Sequence, residues 1–204
     1  MNYKVVNVAT YQKKKEGNDY CGDRLFYLER DHDFVCVIVD GLGSGKMAGE
    51  SSQVVIDVIK NNVSITDEVL VKKCVRELAG KRGVVLGILR INFTDQKYMY
   101  SSIGNISLMI TSNKKRRERT IPKSGFLGSY ERELKVVQGN MEKNMGFLMF
   151  SDGVSDQELS RLELFKGNVD EMIQAFSCIN SKVRDDDTTL IAIKYTGEHF
   201  KADS

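Results

Sequence analysis

Between residues 84 and 110 three β-rich apolar runs follow one another with almost no chain between them: 84–93, 98–103 and 106–110, broken only by Thr94-Asp95-Gln96 and Gly104-Asn105. Gly, Asn and Asp at those breaks are turn residues. Strands joined this closely must be antiparallel, because a parallel return needs a crossover of about a dozen residues. That spacing excludes a wholly parallel, doubly wound sheet. Further strands are expected at 34–39, 134–137, 146–150 and 189–195, with helices over 47–59, over 66–78 behind a Thr66 cap with Gly80 as its stop, and over about 156–177. Asp67 and Glu68 would favour the positive end of the second helix. Strand runs mixed with two helical blocks give an α+β chain.

Composition narrows the chemistry. The 204 residues, 41% of them hydrophobic, suffice for one domain spanning 1–204, and neither a linker nor a repeat divides it. Thirty Lys and Arg against 28 Asp and Glu leave a net charge of +2, so the basic field of a nucleic-acid binder is missing and no nucleic-acid partner is expected. The basic clusters Lys13-Lys14-Lys15 and Lys114 to Arg119 read as solvated loops. Only two histidines are present, His32 and His199, both in polar surroundings, which excludes a three-His zinc site. The four cysteines form no C-x-x-C pair and read as reduced thiols. With no signal-like leader and no membrane-length apolar stretch, the expectation is a cytoplasmic protein, monomeric and without a membrane partner. Acids must carry any chemistry.

The glycine-rich loop after the 34–39 run invites three templates. A P-loop fails, since it needs Gly at Asp40 and Ser or Thr at Met47. Gly43 to Ala48 satisfies the dinucleotide pattern G-x-G-x-x-A, yet Asp40 would set a carboxylate where a pyrophosphate must approach, and antiparallel strands follow. In the third reading Asp40 is the point of the loop and Gly41 supplies an open carbonyl, together half a site for a hard divalent cation. Ser151-Asp152-Gly153 directly follows the 146–150 run, and Asp185-Asp186-Asp187 directly precedes the 189–195 strand. Three buried-type strands thus carry an acid at one tip, and Gly22-Asp23 precedes a fourth.

Taken in order, Gly22-Asp23, Val39-Asp40-Gly41, Ser102-Ile103-Gly104-Asn105, Ser151-Asp152-Gly153 and Asp186-Asp187-Thr188-Thr189 resemble the signature motifs of metal-dependent serine/threonine protein phosphatases of the protein phosphatase 2C-like family, over about residues 20–195. The resemblance implies a four-layer α-β-β-α sandwich, two antiparallel sheets flanked by helices, with two Mn²⁺ or Mg²⁺ ions at one sheet edge. It implies that Asp40 bridges the ions, that the Gly41 carbonyl joins one, that Asp152 and Asp186 hold the other, and that Asp23 acts directly or through water. The last register is open among Asp185, Asp186 and Asp187; Asp186 sets Thr189 three residues on, as the motif asks. The bacterial members it most resembles imply phosphorylated stressosome and anti-sigma pathway proteins of the sigma-B stress response as substrates.

Two departures stand out. Leu42 occupies the place where many eukaryotic relatives carry a leaving-group His, and no residue matches their phosphate-binding Arg, with Arg24 as the one candidate. Ser151 is placed either to orient Asp152 or to face solvent, and Ser102, Gly104 and Asn105 either to shape the metal edge or simply to make a turn. Two rival readings are a catalytically inactive phosphatase fold used as a binding module, and a dinucleotide-binding oxidoreductase resting on Gly43 to Ala48.

Overall fold

In the computed structural model, which describes residues 5–112, 117–121, 124–130, 132–162, 167–179 and 183–197, the strand at Asp33–Gly41 is buried continuously from Phe34 to Val39 because both of its faces are covered. Phe34, Cys36 and Ile38 face one core, and Val35, Val37 and Val39 face another. A period of two with apolar residues at both phases is what a central strand between two packed layers requires. Each such side chain contributes about 2 kcal/mol by burial, so a one-residue slip is strongly disfavoured.

The element order is β1(Val6–Lys13), β2(Asp23–Glu29), β3(Asp33–Gly41), α1(Lys46–Lys60), α2(Asp67–Glu77), β4(Val84–Asn92), β5(Lys97–Ile103), β6(Ser107–Thr111), β7(Arg117–Arg119), β8(Lys135–Asn140), β9(Gly146–Phe150), α3(Asp156–Ser160), α4(Val169–Ile179) and β10(Thr188–Tyr195). Two five-stranded sheets result, β1-β10-β9-β6-β7 and β2-β3-β4-β5-β8, with neighbouring strands antiparallel throughout. The core between the sheets gathers Phe34, Leu89, Tyr100, Phe147, Met149, Ile191 and Ile193. Ala48, Ser52, Val55, Ile56 and Ile59 form the buried stripe of α1, and Val55, Ile56 and Ile59 join Leu70 and Cys74 of α2 on the outer face of the second sheet. Leu159, Met172 and Phe176 of α3 and α4 cover Leu148, Phe150, Leu190 and Ala192 of the first. The order of layers is therefore α-β-β-α, as the resemblance implies.

Several local expectations change. The solvated-loop reading of Lys114 to Arg119 fails at its end, where Arg117–Arg119 pairs with β6 as an edge strand. Lys114 to Arg116 lie outside the described residues, as does His199. Arg119 lies over the Phe150 ring at 5.1 Å and pairs with Asp156, so its long stem covers apolar surface. The helical block at 156–177 is two helices, the first opened by a capping box between Ser155 and Glu158. Thr66 takes the cap position of α2, but its hydroxyl makes no cap bond. Asp67 serves an ion pair with Arg90 at 2.7 Å rather than merely the helix end.

Candidate metal centre

Strand register brings the acids together. In the second sheet Asp23, the first residue of β2, lies opposite Asp40 near the end of β3, and Gly41 lies opposite Val84. In the first sheet β9 ends at Phe150 beside Leu190 of β10, which sets Ser151-Asp152 and the acids preceding Thr188 at the same edge. Side chains then join the two sheets at that edge. Ser151 and Thr189 hydroxyls donate to Asp23 Oδ2 at 2.8 and 2.7 Å, and the Thr189 amide donates to Ser151 Oγ at 2.9 Å. Ser151 is thus buried and serves Asp23, which corrects both expectations for it.

Glycines keep this edge tightly packed. A Cβ on Gly41 would fall 2.2 Å from the Ala48 carbonyl oxygen, and one on Gly153 2.1 Å from the Asp187 carbonyl oxygen. Neither position admits a side chain, so the backbones beside Asp40 and Asp152 pass close to their neighbours.

The charges at the edge are poorly compensated. Asp40 is pushed up to about 9, first by burial and then by the carboxylates of Asp23, Asp152 and Asp186. Asp23, wholly buried, is pushed up to about 6 by burial, against the lowering effect of the Thr189 and Ser151 hydroxyls. Its Oδ1 is buried without a hydrogen-bond partner among the described residues. Asp152, exposed, is raised by partial burial and by Asp186, while the Asn105 amide donates to its Oδ2 at 2.5 Å. Asn105 is therefore more than a turn residue.

The three consecutive acids divide their work. Asp187 is 3% exposed and accepts from the amides of Lys15 and Gly22 at 2.8 and 2.7 Å, fixing two loops. Asp186 is exposed, acts electrostatically on both Asp40 and Asp152, and accepts from the Asp187 amide at 2.9 Å. Asp185 is exposed. Arg24 does not face the acids as a free cation: it donates to the Cys21 and Asp23 carbonyls, both at 2.7 Å, and to Gln53 at 3.2 Å.

Among the described residues no three His, Cys, Asp or Glu side chains stand close enough to hold an ion as placed. The mutual influence of Asp23, Asp40, Asp152 and Asp186 is the better guide to what the edge can do, because Coulomb forces act over several ångströms whereas cation ligands must close to about 2.0–2.6 Å. The donor set is all oxygen, with Asp23 Oδ1 left over and, among the described residues, no positively charged side chain countering the acids at Asp40. Those features fit a hard divalent ion and not a soft one. They do not fit a dinucleotide: β3 and β4, joined through α1 and α2, are antiparallel, so the βαβ unit that fingerprint needs is absent.

Comparison with known proteins agrees with this fold. Residues 30–196 match the family model of Stage II sporulation protein E, SpoIIE. The chain is 32% identical over 186 residues to the phosphoserine phosphatase RsbX of Bacillus subtilis (strain 168), covering 91% of this chain and 93% of that protein. A crystal structure of RsbX in complex with magnesium superposes with a TM-score of 0.85 at 31% identity, over 95% of this chain and 97% of that one. A structure from work on the bacterial stressosome, a modular system adapted to control secondary messenger signalling, gives 0.79 at 24% identity over 93% and 100%. The PP2C phosphatase domain of SpoIIE from Bacillus subtilis gives 0.73 at 18% identity over 93% and 61%, a likeness of fold.

Proposed function

The chain belongs to the SpoIIE family of PP2C-fold proteins, and from that premise we propose that it is a single-domain, Mn²⁺- or Mg²⁺-dependent phosphoserine/phosphothreonine protein phosphatase. One observation carries the reading: Asp40 is half-buried among three other carboxylates, and among the described residues no positively charged side chain counters them there. An arrangement so unfavourable on its own is what a site built around divalent cations requires.

Asp40, the Gly41 carbonyl, Asp152 and Asp186 would hold two ions, with Asp23 behind Asp40. Bound there, such ions would make hydroxide available near neutral pH and offset the charge of the phosphoryl oxygens. The protein's own groups prepare the site. Ser151 and Thr189 hydroxyls favour the ionised form of Asp23, and Asn105 fixes the orientation of Asp152. Asp187 holds the Lys15 and Gly22 loops so that Asp23 and Asp186 flank one edge. Leu42 offers no proton, so solvent water protonates the departing serine oxygen and turnover is modest.

The substrates, by likeness to RsbX, are phosphorylated proteins of the stressosome and anti-sigma pathway, and the enzyme acts in the cytoplasm as a monomer. Among the described residues no helix is long and apolar enough to cross a membrane. The deciding experiment is dephosphorylation of phosphorylated stressosome proteins with and without Mn²⁺. Metal-dependent phosphate release is expected. Hydrolysis of small phosphoesters with none of those proteins dephosphorylated would remove the pathway and keep the enzyme class. Failure to bind Mn²⁺ or Mg²⁺ in calorimetry would favour a non-catalytic binding module.

A further inference from the structure

Strand β3 does not stop cleanly at the acids. Its pairing with β4 runs on past Gly41 opposite Val84: the Leu42 amide donates to the Gly83 carbonyl at 2.8 Å, and Arg82 Nη1 donates to the Leu42 carbonyl at 3.3 Å. Arg82 therefore lies beside Gly43, whose φ of +88° and missing side chain make room for it; a Cβ there would fall 2.4 Å from Arg82 Nη1. On the other side of β4, Leu127 and Val84 exchange backbone hydrogen bonds at 2.7 and 2.8 Å, and this draws Phe126 against Gly83, where a Cβ would meet the ring at 2.4 Å. The same segment touches the acid edge, since a Cβ on Gly104 would lie 2.9 Å from the Gly125 carbonyl oxygen, and Asn105 beside it binds Asp152.

Three loops thus bring one guanidinium and two exposed apolar residues to neighbouring backbone positions, 42–43, 82–83 and 126, beside the strand end that carries Asp40. Leu42 is 36% exposed and Phe126 45%, with Met47 of α1 at 58%. Lone exposed apolar residues are ordinary, but several gathered beside a reactive edge mark a contact surface. A guanidinium offers five N–H donors, and among the described residues Arg82 makes one hydrogen bond, to the Leu42 carbonyl. Its remaining donors can take an acceptor from outside; the fork matches a carboxylate or a phosphate, and with the phosphoryl group directed to the acid edge the carboxylate of a neighbouring residue is the partner left for it.

Building on the phosphatase reading, we propose that Arg82, bonded to the Leu42 carbonyl and next in sequence to the Gly83 that packs on Phe126, is a specificity-determining residue that reads the phosphoprotein chain beside the phosphoserine and favours a segment with an acidic residue next to an apolar one. The small net charge of the protein makes this a local preference rather than bulk attraction.

The test compares phosphoserine peptides that differ only in flanking residues, Asp and Leu against Lys and Leu, with p-nitrophenyl phosphate as a flank-free substrate and Mn²⁺ present throughout. The wild-type protein is expected to prefer the acidic peptide in kcat/KM by about fivefold, the scale of one exposed charge pair. Arg82→Glu should invert the preference, and Arg82→Lys should keep its sign while shrinking it, because the charge survives and the fork is lost. The readout is a ratio between two peptides on one enzyme, so a change in folded fraction does not move it. Equal turnover of the two peptides by the wild type, or a preference unmoved by Arg82→Glu, overturns this inference alone. No hydrolysis of any substrate with Mn²⁺ or Mg²⁺ overturns the phosphatase reading and this inference with it.

Discussion

Asp23 and Asp67 are both fully buried, and the protein treats them in opposite ways. Asp67, at the start of α2, meets Arg90 of β4 at 2.7 Å, and the same guanidinium also donates to the Val63 and Ile65 carbonyls at 2.7 and 3.1 Å. Asp23 meets two hydroxyls and two other acids, Asp40 and Asp187. Each leaves one carboxylate oxygen without a hydrogen-bond partner, so an orphaned oxygen alone does not distinguish them. The cation does. Where the protein provides its own positive charge the acid is structural, and where it withholds one the acids are arranged for a charge that comes from outside.

Substitution should separate the two kinds of acid. Asp40→Asn is expected to lower metal-stimulated hydrolysis by more than about a hundredfold, read as kcat with saturating Mn²⁺, since a carboxylate proposed to hold the metal is lost. The same change should raise the melting temperature of the metal-free protein, because repulsion at the edge is relieved. Asp67→Ala should do the reverse: a loss of about 3 kcal/mol in urea unfolding, from leaving Arg90 largely buried and unpaired, with metal affinity retained at temperatures where the protein is folded. If Asp40→Asn destabilises and Asp67→Ala does not, the contrast is wrong.

A smaller effect tests the support of the site. Asn105→Ala should weaken Mg²⁺ binding about tenfold in calorimetry by releasing Asp152, with little change in metal-free stability. The smallest is a pH dependence. Asp23 and Asp40 have folded values raised to about 6 and about 9 from 3.8, so the folded metal-free state binds more protons than the unfolded one. Their stabilising effect is complete below about 4 and is lost as pH rises toward those folded values, so the melting temperature of metal-free protein should fall across that window. Mg²⁺ binding displaces those protons, and the stabilisation it gives should grow with pH over the same range. A metal-induced shift that is flat from pH 5 to pH 8 would contradict the placement of Asp40.

Much of the fold was legible because central strands between two packed layers must be apolar at both phases, as 34–39 and 146–150 are. Edge strands escape that rule. Among the described residues β1 pairs only with β10, its exposed positions carry Asn7, Thr10 and Gln12, and it runs straight into lysines, so nothing in its pattern demanded a strand. β7 is three charged residues long. The acids at the strand tips were legible as a repeated pattern, but their division of labour was not. Asp185, Asp186 and Asp187 are identical in type, and only the turn before β10 decides that Asp187 points inward to two amides. Ser151 was misread for a related reason: its neighbour in sequence is Asp152, whereas its partner, Asp23, comes from the other sheet.

That last contact has a mechanical consequence. Asp23 belongs to one sheet, and the hydroxyls that hold it, Ser151 and Thr189, belong to the other. The acid edge is therefore a seam, complete only when the two halves of the sandwich are closed on each other. An ion bound across it would act as a rivet, stabilising the closed form in proportion to the logarithm of its concentration. A chain with only one sheet formed would have neither the rivet nor the activity, so the metal-dependent reaction reports that the whole sandwich has assembled.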